Sequence, residues 1–157
     1  MNEQRFLATA SSIALLLAGA ASAGPATTST TRVSVDSGGA QANGNSYWSA
    51  LSADGRSVVF CSVASNLVAG DTNDASDVFV HDRASGATTR VSVDSSGAQA
   101  NNQSCWDPAL SADGRFVVFT SYASNLVTGD TNGRIDIFVH DCQSGATTRV
   151  SVDGVGV

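Results

Sequence analysis

The chain has few charged residues and no cluster of positive charge. Lysine and arginine together number 8 among 157 residues, against 14 acidic residues, which gives a formal net charge of −6. Nucleic-acid binding depends on clustered cations that neutralise phosphates. The sequence therefore predicts no nucleic-acid partner.

The sequence also lacks an obvious catalytic motif. No Gly-x-Ser-x-Gly occurs, so the strand-turn-helix nucleophile of many hydrolases is not available. His81 and His140 each precede an aspartate, a pair that can serve catalysis or metal ligation. Neither has a serine, cysteine or glutamate implied nearby. We expect packed, structural histidines and no enzymatic activity.

Only one apolar stretch is long, and it lies at the amino terminus. Residues 6–21 are rich in alanine and leucine, and the stretch ends in Ala21-Ser22-Ala23, a signal-peptidase type of site. The run is shorter than the roughly 20 residues of a membrane-spanning helix. We predict a signal peptide over residues 1–23 and export to the periplasm or the outside. An uncleaved anchor is the alternative; no later segment is apolar enough to enter a membrane.

Cysteine is scarce. Cys61, Cys105 and Cys142 make an odd number, so at least one thiol is free within one chain. They also occupy non-equivalent positions of the internal repeat described next, whereas a disulfide framework is expected to recur with a repeat. The sequence predicts incidental cysteines.

What the chain does contain is an internal duplication. Thr-Arg-Val-Ser-Val-Asp begins at residues 31, 89 and 148, and residues 31–88 align with 89–147 with one gap and 43 identities in 58 pairs. A repeat of this length is typical of solenoids and propellers.

Each repeat carries four strand signals. The first strand follows Trp48 or Trp106, and an Asp-Gly turn separates it from the second. The third precedes a Ser-Gly turn, and the Thr-Arg-Val-Ser-Val-Asp segment is the fourth. The second to fourth strands are predicted at 57–61, 77–81 and 89–94, and at 116–120, 136–140 and 148–153. Residues 31–36 form an orphan outer strand.

The apolar pattern distinguishes two all-β architectures. The second and third strands are apolar on both faces, as expected of strands that are buried on both sides. The fourth alternates, as expected of a half-solvated outer strand. This combination favours four-stranded antiparallel propeller blades over a β-sandwich.

The repeat resembles the TolB-like, or PD40 (WD40-like), propeller family. The resemblance rests on residues 106–121, which run from Trp106 through Ser-Ala-Asp-Gly-Arg to an apolar strand ending in serine, and on Asp-Ile-Phe-Val-His-Asp at 136–141. Ala53 and Ala112 replace the family's usual proline. The resemblance implies an exported scaffold for protein or ligand binding. Such repeats also occur as non-catalytic domains of prolyl-oligopeptidase-like peptidases.

Two blades do not close a ring, because closed propellers contain four or more. We predict a signal peptide (1–23), a linker (24–30) and an incomplete propeller (31–157) with blades at about 46–94 and 104–153. Three explanations stay open: a fragment of a larger protein, such as a peptidase-like enzyme; a homo-oligomer that completes a ring; and a genuine two-blade module.

One loop in each repeat is a candidate calcium site. Aspartate and asparagine stand at relative positions 1, 3 and 7, a partial match to a calcium loop of oxygen ligands, and Asp82 and Asp141 stand at position 12. The alternative is an Asx turn between strands. The candidate ligands are Asp71, Asn73 and Asp77 in the first repeat and Asp130, Asn132 and Asp136 in the second. No other cofactor is predicted, and a calcium-stabilised surface repeat protein is a further function that the sequence leaves open.

Two further features are candidates for ligand contact. Trp48 and Trp106 are expected to serve blade packing, with a sugar- or peptide-binding face as the alternative. The polar loops at 37–46 and 95–104 are where we expect ligand contacts, since loops carry recognition on rigid scaffolds. The partner, protein or small ligand, is not specified by the sequence.

Overall fold

The computed structural model describes residues 29–154, which form two four-stranded antiparallel sheets. We call them blade 1 and blade 2, and each pairs its strands in chain order. Blade 1 contains β1 (Ser46–Leu51), β2 (Ser57–Ser62), β3 (Asp77–Asp82) and β4 (Thr88–Arg90), and blade 2 contains β5 (Ala109–Leu110), β6 (Phe116–Ser121), β7 (Asp136–Asp141) and β8 (Thr147–Arg149). No residue between 29 and 154 is helical, and accordingly no membrane-spanning helix occurs there.

Of the three predicted segments, only the propeller lies almost entirely within the described residues. The predicted signal peptide (1–23) and most of the linker (24–30) lie outside the described residues. The predicted blades, about 46–94 and 104–153, contain one sheet each. The two sheets do not close into a ring.

The Asp-Gly turn between the first two strands forms as predicted. The Ser52 hydroxyl donates to Asp54 Oδ1 (2.6 Å) and accepts from the Ser57 amide (2.9 Å). Gly55 takes a positive φ of 71°, which costs a glycine little. The same contacts recur at residues 111–116. Local chemistry therefore fixes this hairpin in both repeats.

The fourth strands are shorter than predicted, and residues 31–36 form no strand. The ladder with β3 ends after the Val91 amide, because the next backbone donor, Val78 N–H, binds the Ser92 hydroxyl instead (3.1 Å). At residues 31–36 only an isolated bridge forms, between Val35 and Gln41. The described residues before 46 offer no strand equivalent to β3 with which this segment could pair.

The blades stack, and the stacking buries one face of blade 1. We call the face of a blade that is turned toward the next blade its trailing face, and the opposite face its leading face. The trailing residues Val59, Val78 and Val91 are at most 2% exposed. They pack in one core with leading-face residues of blade 2 such as Phe119 and Phe138. The predicted burial of both faces of the inner strands thus holds for β2 and β3.

Blade 2 has an open trailing face. Val118, Ile137 and Val150 are the counterparts of the three buried valines, and they are 39%, 41% and 48% exposed. β6 and β7 therefore alternate between buried and more exposed residues, unlike the prediction, because no further blade covers them within residues 29–154.

The prediction of incidental cysteines is wrong for two of the three. Cys61 of β2 and Cys105, ahead of β5, form a disulfide with Cα atoms 6.0 Å apart. Both residues belong to the core shared by the blades. The disulfide therefore links blade 1 covalently to blade 2. Cys142 is free and exposed.

Candidate functional site

The candidate calcium ligands of blade 1 converge, but on an arginine. The Arg90 guanidinium Nη1 lies 3.0 Å from Asp71 Oδ1 and 3.3 Å from Asp77 Oδ2. The Asn73 side-chain amide also donates to Asp77 Oδ2 (3.0 Å), while its oxygen accepts from the Ala75 amide (3.1 Å). The second contact is the Asx turn that was the alternative to a metal loop.

Blade 2 repeats this arrangement. Arg149 Nη1 lies 3.2 Å from Asp130 Oδ1 and 3.7 Å from Asp136 Oδ2. Asn132 donates to Asp136 Oδ2 (2.9 Å) and accepts from the Arg134 amide (2.8 Å). The arginine, which comes from the fourth strand, was missed in the sequence analysis.

The acids at position 12 lie elsewhere. Asp82 and Asp141 are held by Arg56 and Arg115 of the Asp-Gly hairpins, each at 2.7 Å. Within residues 29–154 no group of three or more His, Cys, Asp or Glu side chains is arranged to hold a metal ion. The geometry fits ion pairing with arginine better than calcium ligation.

The two clusters differ in the pKa of one aspartate. In blade 1, burial raises the pKa of Asp77 above its ordinary value despite bonds from Ser92 and Arg90. In blade 2, burial also acts to raise the pKa of Asp136, but hydrogen bonds from Ser151 and Asn132 outweigh it and the pKa is lowered. Asp71 of blade 1 and its counterpart Asp130 of blade 2 behave alike, because burial raises the pKa of both.

A calcium titration tests the site directly. We expect the melting temperature in millimolar CaCl₂ to equal that in EGTA, because Arg90 and Arg149 already contact the carboxylate oxygens that a calcium ion would need. Differential scanning calorimetry of the exported protein measures this, with MgCl₂ as the control for ionic strength. A rise specific to calcium would restore the metal-site hypothesis.

The hairpin ion pairs predict a pH dependence. The Arg56 hydrogen bond holds the pKa of Asp82 far below its ordinary value, and Arg115 does the same for Asp141. A depressed folded-state pKa stabilises the fold above the unfolded pKa, about 3.9 for aspartate, and this contribution fades as the pH falls below it. We therefore expect Arg56→Gln to lower the urea midpoint at pH 7 but progressively less below about pH 4. A difference that does not change with pH would contradict the ion-pair explanation.

The histidines have the structural role that the sequence predicts. His81 and His140 are 7% and 6% exposed. The Thr88 hydroxyl donates to the Val35 carbonyl (2.6 Å), so its contact with His81 Nδ1 (2.9 Å) is one in which the imidazole N–H donates. The Thr147 hydroxyl likewise donates to the Val93 carbonyl and accepts from His140 Nδ1. Burial lowers the pKa of both imidazoles, which favours their neutral form.

The polar loop before each blade protects the outer sheet edge. The Ser37 hydroxyl accepts from the Thr88 amide (3.0 Å) and donates to the Thr88 carbonyl (3.4 Å). Ser95 makes the same two contacts with Thr147. One serine thus satisfies backbone groups that an edge strand otherwise leaves open to pairing.

The same loops line a cleft in each blade. The cleft of blade 1 has a volume of about 470 Å³ and lies between residues 36–38 and 66–69. Its counterpart in blade 2 is about 260 Å³. Gly38 and Ala69 in the first cleft are replaced by Ser96 and Thr128 in the second, whose larger side chains account for the smaller volume. The predicted contact loops therefore do border concave surface.

A strip of aromatic side chains crosses the junction between the blades. Trp48 stands at a bulge in β1, and its ring lies 4.9 Å from Tyr47 and 6.5 Å from Trp106. Trp106 in turn lies 5.6 Å from Tyr122. We call these four residues the aromatic strip.

The strip is only partly packed. Trp48, Trp106 and Tyr122 are 45%, 40% and 44% exposed. The expectation that the tryptophans serve blade packing is thus incomplete, because they touch across the blades and still present ring surface to solvent. Exposed aromatic rings with a polar tip are typical of binding surfaces.

Solved propeller proteins are similar to this chain. TolB from Acinetobacter baumannii shares 16% identity over 70% of this chain and 22% of its own, with a TM-score of 0.44. The tricorn protease shares 15% identity over 70% of this chain and 9% of its own, with a TM-score of 0.45. A protein from Agrobacterium tumefaciens that is described as a TolB shares 18% identity over 67% of this chain and 48% of its own, with a TM-score of 0.26.

The chain spans less than half the length of each of the three proteins. No family model matches the sequence, and no curated protein does.

Proposed function

We propose that the chain is an exported, non-enzymatic β-propeller module that binds a protein or a small ligand through the aromatic strip. The observation that carries this proposal is the exposure of three of the strip's four rings on a scaffold held by two sheets and a disulfide. Rigid aromatic side chains bury much apolar area on binding at a small cost in conformational entropy.

Two further observations support the proposal. Both histidines of the described residues are buried and bonded through Nδ1 to a threonine, which removes the side chains best suited to acid–base catalysis. The disulfide suits an oxidising compartment and therefore export.

The strip contains its own reporter of binding. Trp48 and Trp106 are the only tryptophans of the chain, so a ligand that contacts the strip should shift or quench the intrinsic fluorescence. The probes are soluble oligosaccharides and a set of peptides, each titrated against the exported protein. We expect at least one to change the emission with a saturable curve.

A matched pair of variants locates the effect. Tyr122→Ser removes a ring of the aromatic strip. Val63→Ser changes the counterpart of Tyr122 in the first repeat, which is similarly exposed but lies outside the strip. We expect Tyr122→Ser to weaken binding about tenfold or more, the loss of roughly 1.4 kcal/mol, and Val63→Ser to leave it unchanged. No saturable probe, or equal effects of both variants, would contradict the proposed site. Release of peptides from casein by the pure protein would contradict the non-enzymatic assignment.

A further inference from the structure

Both tryptophans of the aromatic strip lie on or beside strained backbone. Trp48 has a φ of 46°, and Asp107, the residue after Trp106, has a φ of 48°; among residues 29–154 the only other non-glycine residue with positive φ is Asp74. The left-handed region is unfavourable for a side chain as bulky as tryptophan. At Trp48 it accompanies the bulge of β1, and at Asp107 it accompanies the one extra residue of the second repeat. Such strain concentrates at functional sites, which draws attention to this strip.

The three exposed rings of the strip leave two shallow notches between them. The Trp48 and Trp106 rings are 6.5 Å apart and inclined by 39°, and the Trp106 and Tyr122 rings are 5.6 Å apart and inclined by 70°. Each notch has its midpoint half a ring spacing from Trp106, so the two midpoints are at most about 6 Å apart, the length of two residues of polyproline II at about 3.1 Å each. With about three residues per turn, residues i and i+2 of such a helix both face the surface on which it lies. One proline ring can therefore contact each notch.

The exposed rings also offer hydrogen-bond donors that the described part of the chain does not use. The indole N–H groups of Trp48 and Trp106 and the hydroxyl of Tyr122 have no hydrogen-bond partner among residues 29–154. An indole N–H can donate but not accept. A proline-rich segment offers backbone carbonyls and few N–H groups, whereas the hydroxyls of a sugar need acceptors as well as donors. The strip therefore suits a proline-rich peptide better than an oligosaccharide.

The charge beside the strip favours a basic residue on the peptide. Asp107 is exposed next to Trp106, and it has no ion pair or hydrogen bond among residues 29–154. By contrast, the aspartates of both loop clusters and both hairpins are paired with arginine. The chain as a whole has a formal net charge of −6. A cation that flanks the prolines would therefore be attracted both by this carboxylate and by the net charge of the protein.

We propose that the aromatic strip binds a proline-rich segment of another protein in the polyproline II conformation, with a basic residue of that segment beside Asp107. This inference rests on the proposed function and adds the chemistry of the partner to it. Polyproline II is formed before binding, so little conformational entropy is lost when it docks on rigid aromatic rings. Its prolines contact the two notches, and its carbonyls accept from Trp48, Trp106 and Tyr122.

Intrinsic fluorescence of the exported protein tests the proposal with a decaproline peptide that carries one terminal arginine. Proline and arginine do not fluoresce, so any change in emission comes from the protein. We expect a saturable change with this peptide and none with an arginine-tagged glycine–serine decamer. If that decamer or cellohexaose gives a saturable change and decaproline gives none, the strip still binds a ligand but the ligand is not proline-rich, and the inference is overturned. If no probe binds, the binding function and this inference fall together.

Trp48→Gly separates a role in binding from a role in packing. Glycine adopts a φ of 46° at little steric cost, so this variant removes the ring and the backbone strain together. We expect the affinity for arginine-tagged decaproline to fall about tenfold or more. The melting temperature should stay close to that of wild type, because relief of the strain offsets the lost ring contacts. Unchanged affinity together with a lower melting temperature would assign Trp48 to packing and overturn the proposal.

Asp107→Asn tests the charge, and Asp74→Asn is its matched control. Both aspartates are exposed and have positive φ, which asparagine tolerates. Wild type should bind arginine-tagged decaproline about threefold more tightly than untagged decaproline, and this preference should shrink as salt is added. The preference should disappear in Asp107→Asn and persist in Asp74→Asn. A preference that survives in Asp107→Asn would place the cation elsewhere and contradict the proposed arrangement.

Discussion

Loss of the Cys61–Cys105 disulfide is expected to lower the free energy of unfolding by about 4 kcal/mol. The two cysteines are separated by 44 residues, and the chain-entropy estimate for a loop of that length gives about this value. The bond also holds the two blades in contact across a core that each supplies in part. Urea unfolding of wild type with and without a phosphine reductant measures the effect.

Two variants separate the disulfide from other thiol effects. Cys61→Ala with Cys105→Ala should be destabilised like reduced wild type, and reductant should not change it further. Cys142→Ser removes the free, exposed thiol and should unfold like wild type. Equal stability of oxidised and reduced wild type would show that the bond does not hold the blades together.

Arg90→Leu is expected to cost about 3–5 kcal/mol, the usual effect of leaving a buried charge without its partner. Asp77 is fully buried and Asp71 nearly so, and Arg90 is their cationic partner. The pKa of Asp77 is already raised by burial, so its protonation should relieve part of the loss as the pH falls. The measurement is the urea midpoint of wild type and variant at neutral and mildly acidic pH.

The repeat supplies two matched controls for this arginine. Arg149→Leu removes the same contact from blade 2, where no blade covers the trailing face and the ion pairs are longer (3.2 and 3.7 Å against 3.0 and 3.3 Å), and should cost less. Arg32→Leu changes the equivalent residue of the first Thr-Arg-Val segment, which is exposed, and should be nearly neutral. Equal losses for all three would mean that stacking of the blades does not matter to the cluster.

The sequence predicts features that depend on local chemistry. The Asp54-Gly55 turn, the hairpins and the order of the four strands follow from turn residues and alternation, which act over a few positions. Asp71 and Asp77 were candidate calcium ligands beside the alternative of an Asx turn, and the arginine between them was not predicted. Arg90 lies more than ten residues away on another strand, and spacing within a loop carries no information about it.

The disulfide was missed for a different reason. In a duplicated sequence, disulfides are expected to recur at equivalent positions of the repeats. A disulfide between blades, however, joins the trailing side of one repeat to the leading side of the next. Those sides hold non-equivalent positions, so Cys61 and Cys105 had to differ in repeat position. The open face of blade 2 was also not predicted. Val118 and Val59 occupy equivalent positions of the repeat, and they differ only in whether a following blade covers them.

Disulfide mapping is the most direct test of the stacking of blade 2 on the trailing face of blade 1. Trypsin cleavage after each arginine places Cys61, Cys105 and Cys142 in three separate peptides, 57–83, 91–115 and 135–149. The exported protein is alkylated at acidic pH, digested without reductant and analysed by mass spectrometry. We expect peptide 57–83 to be linked to peptide 91–115 and peptide 135–149 to carry a blocked free thiol. A link between 135–149 and either of the others would contradict the stacking described here.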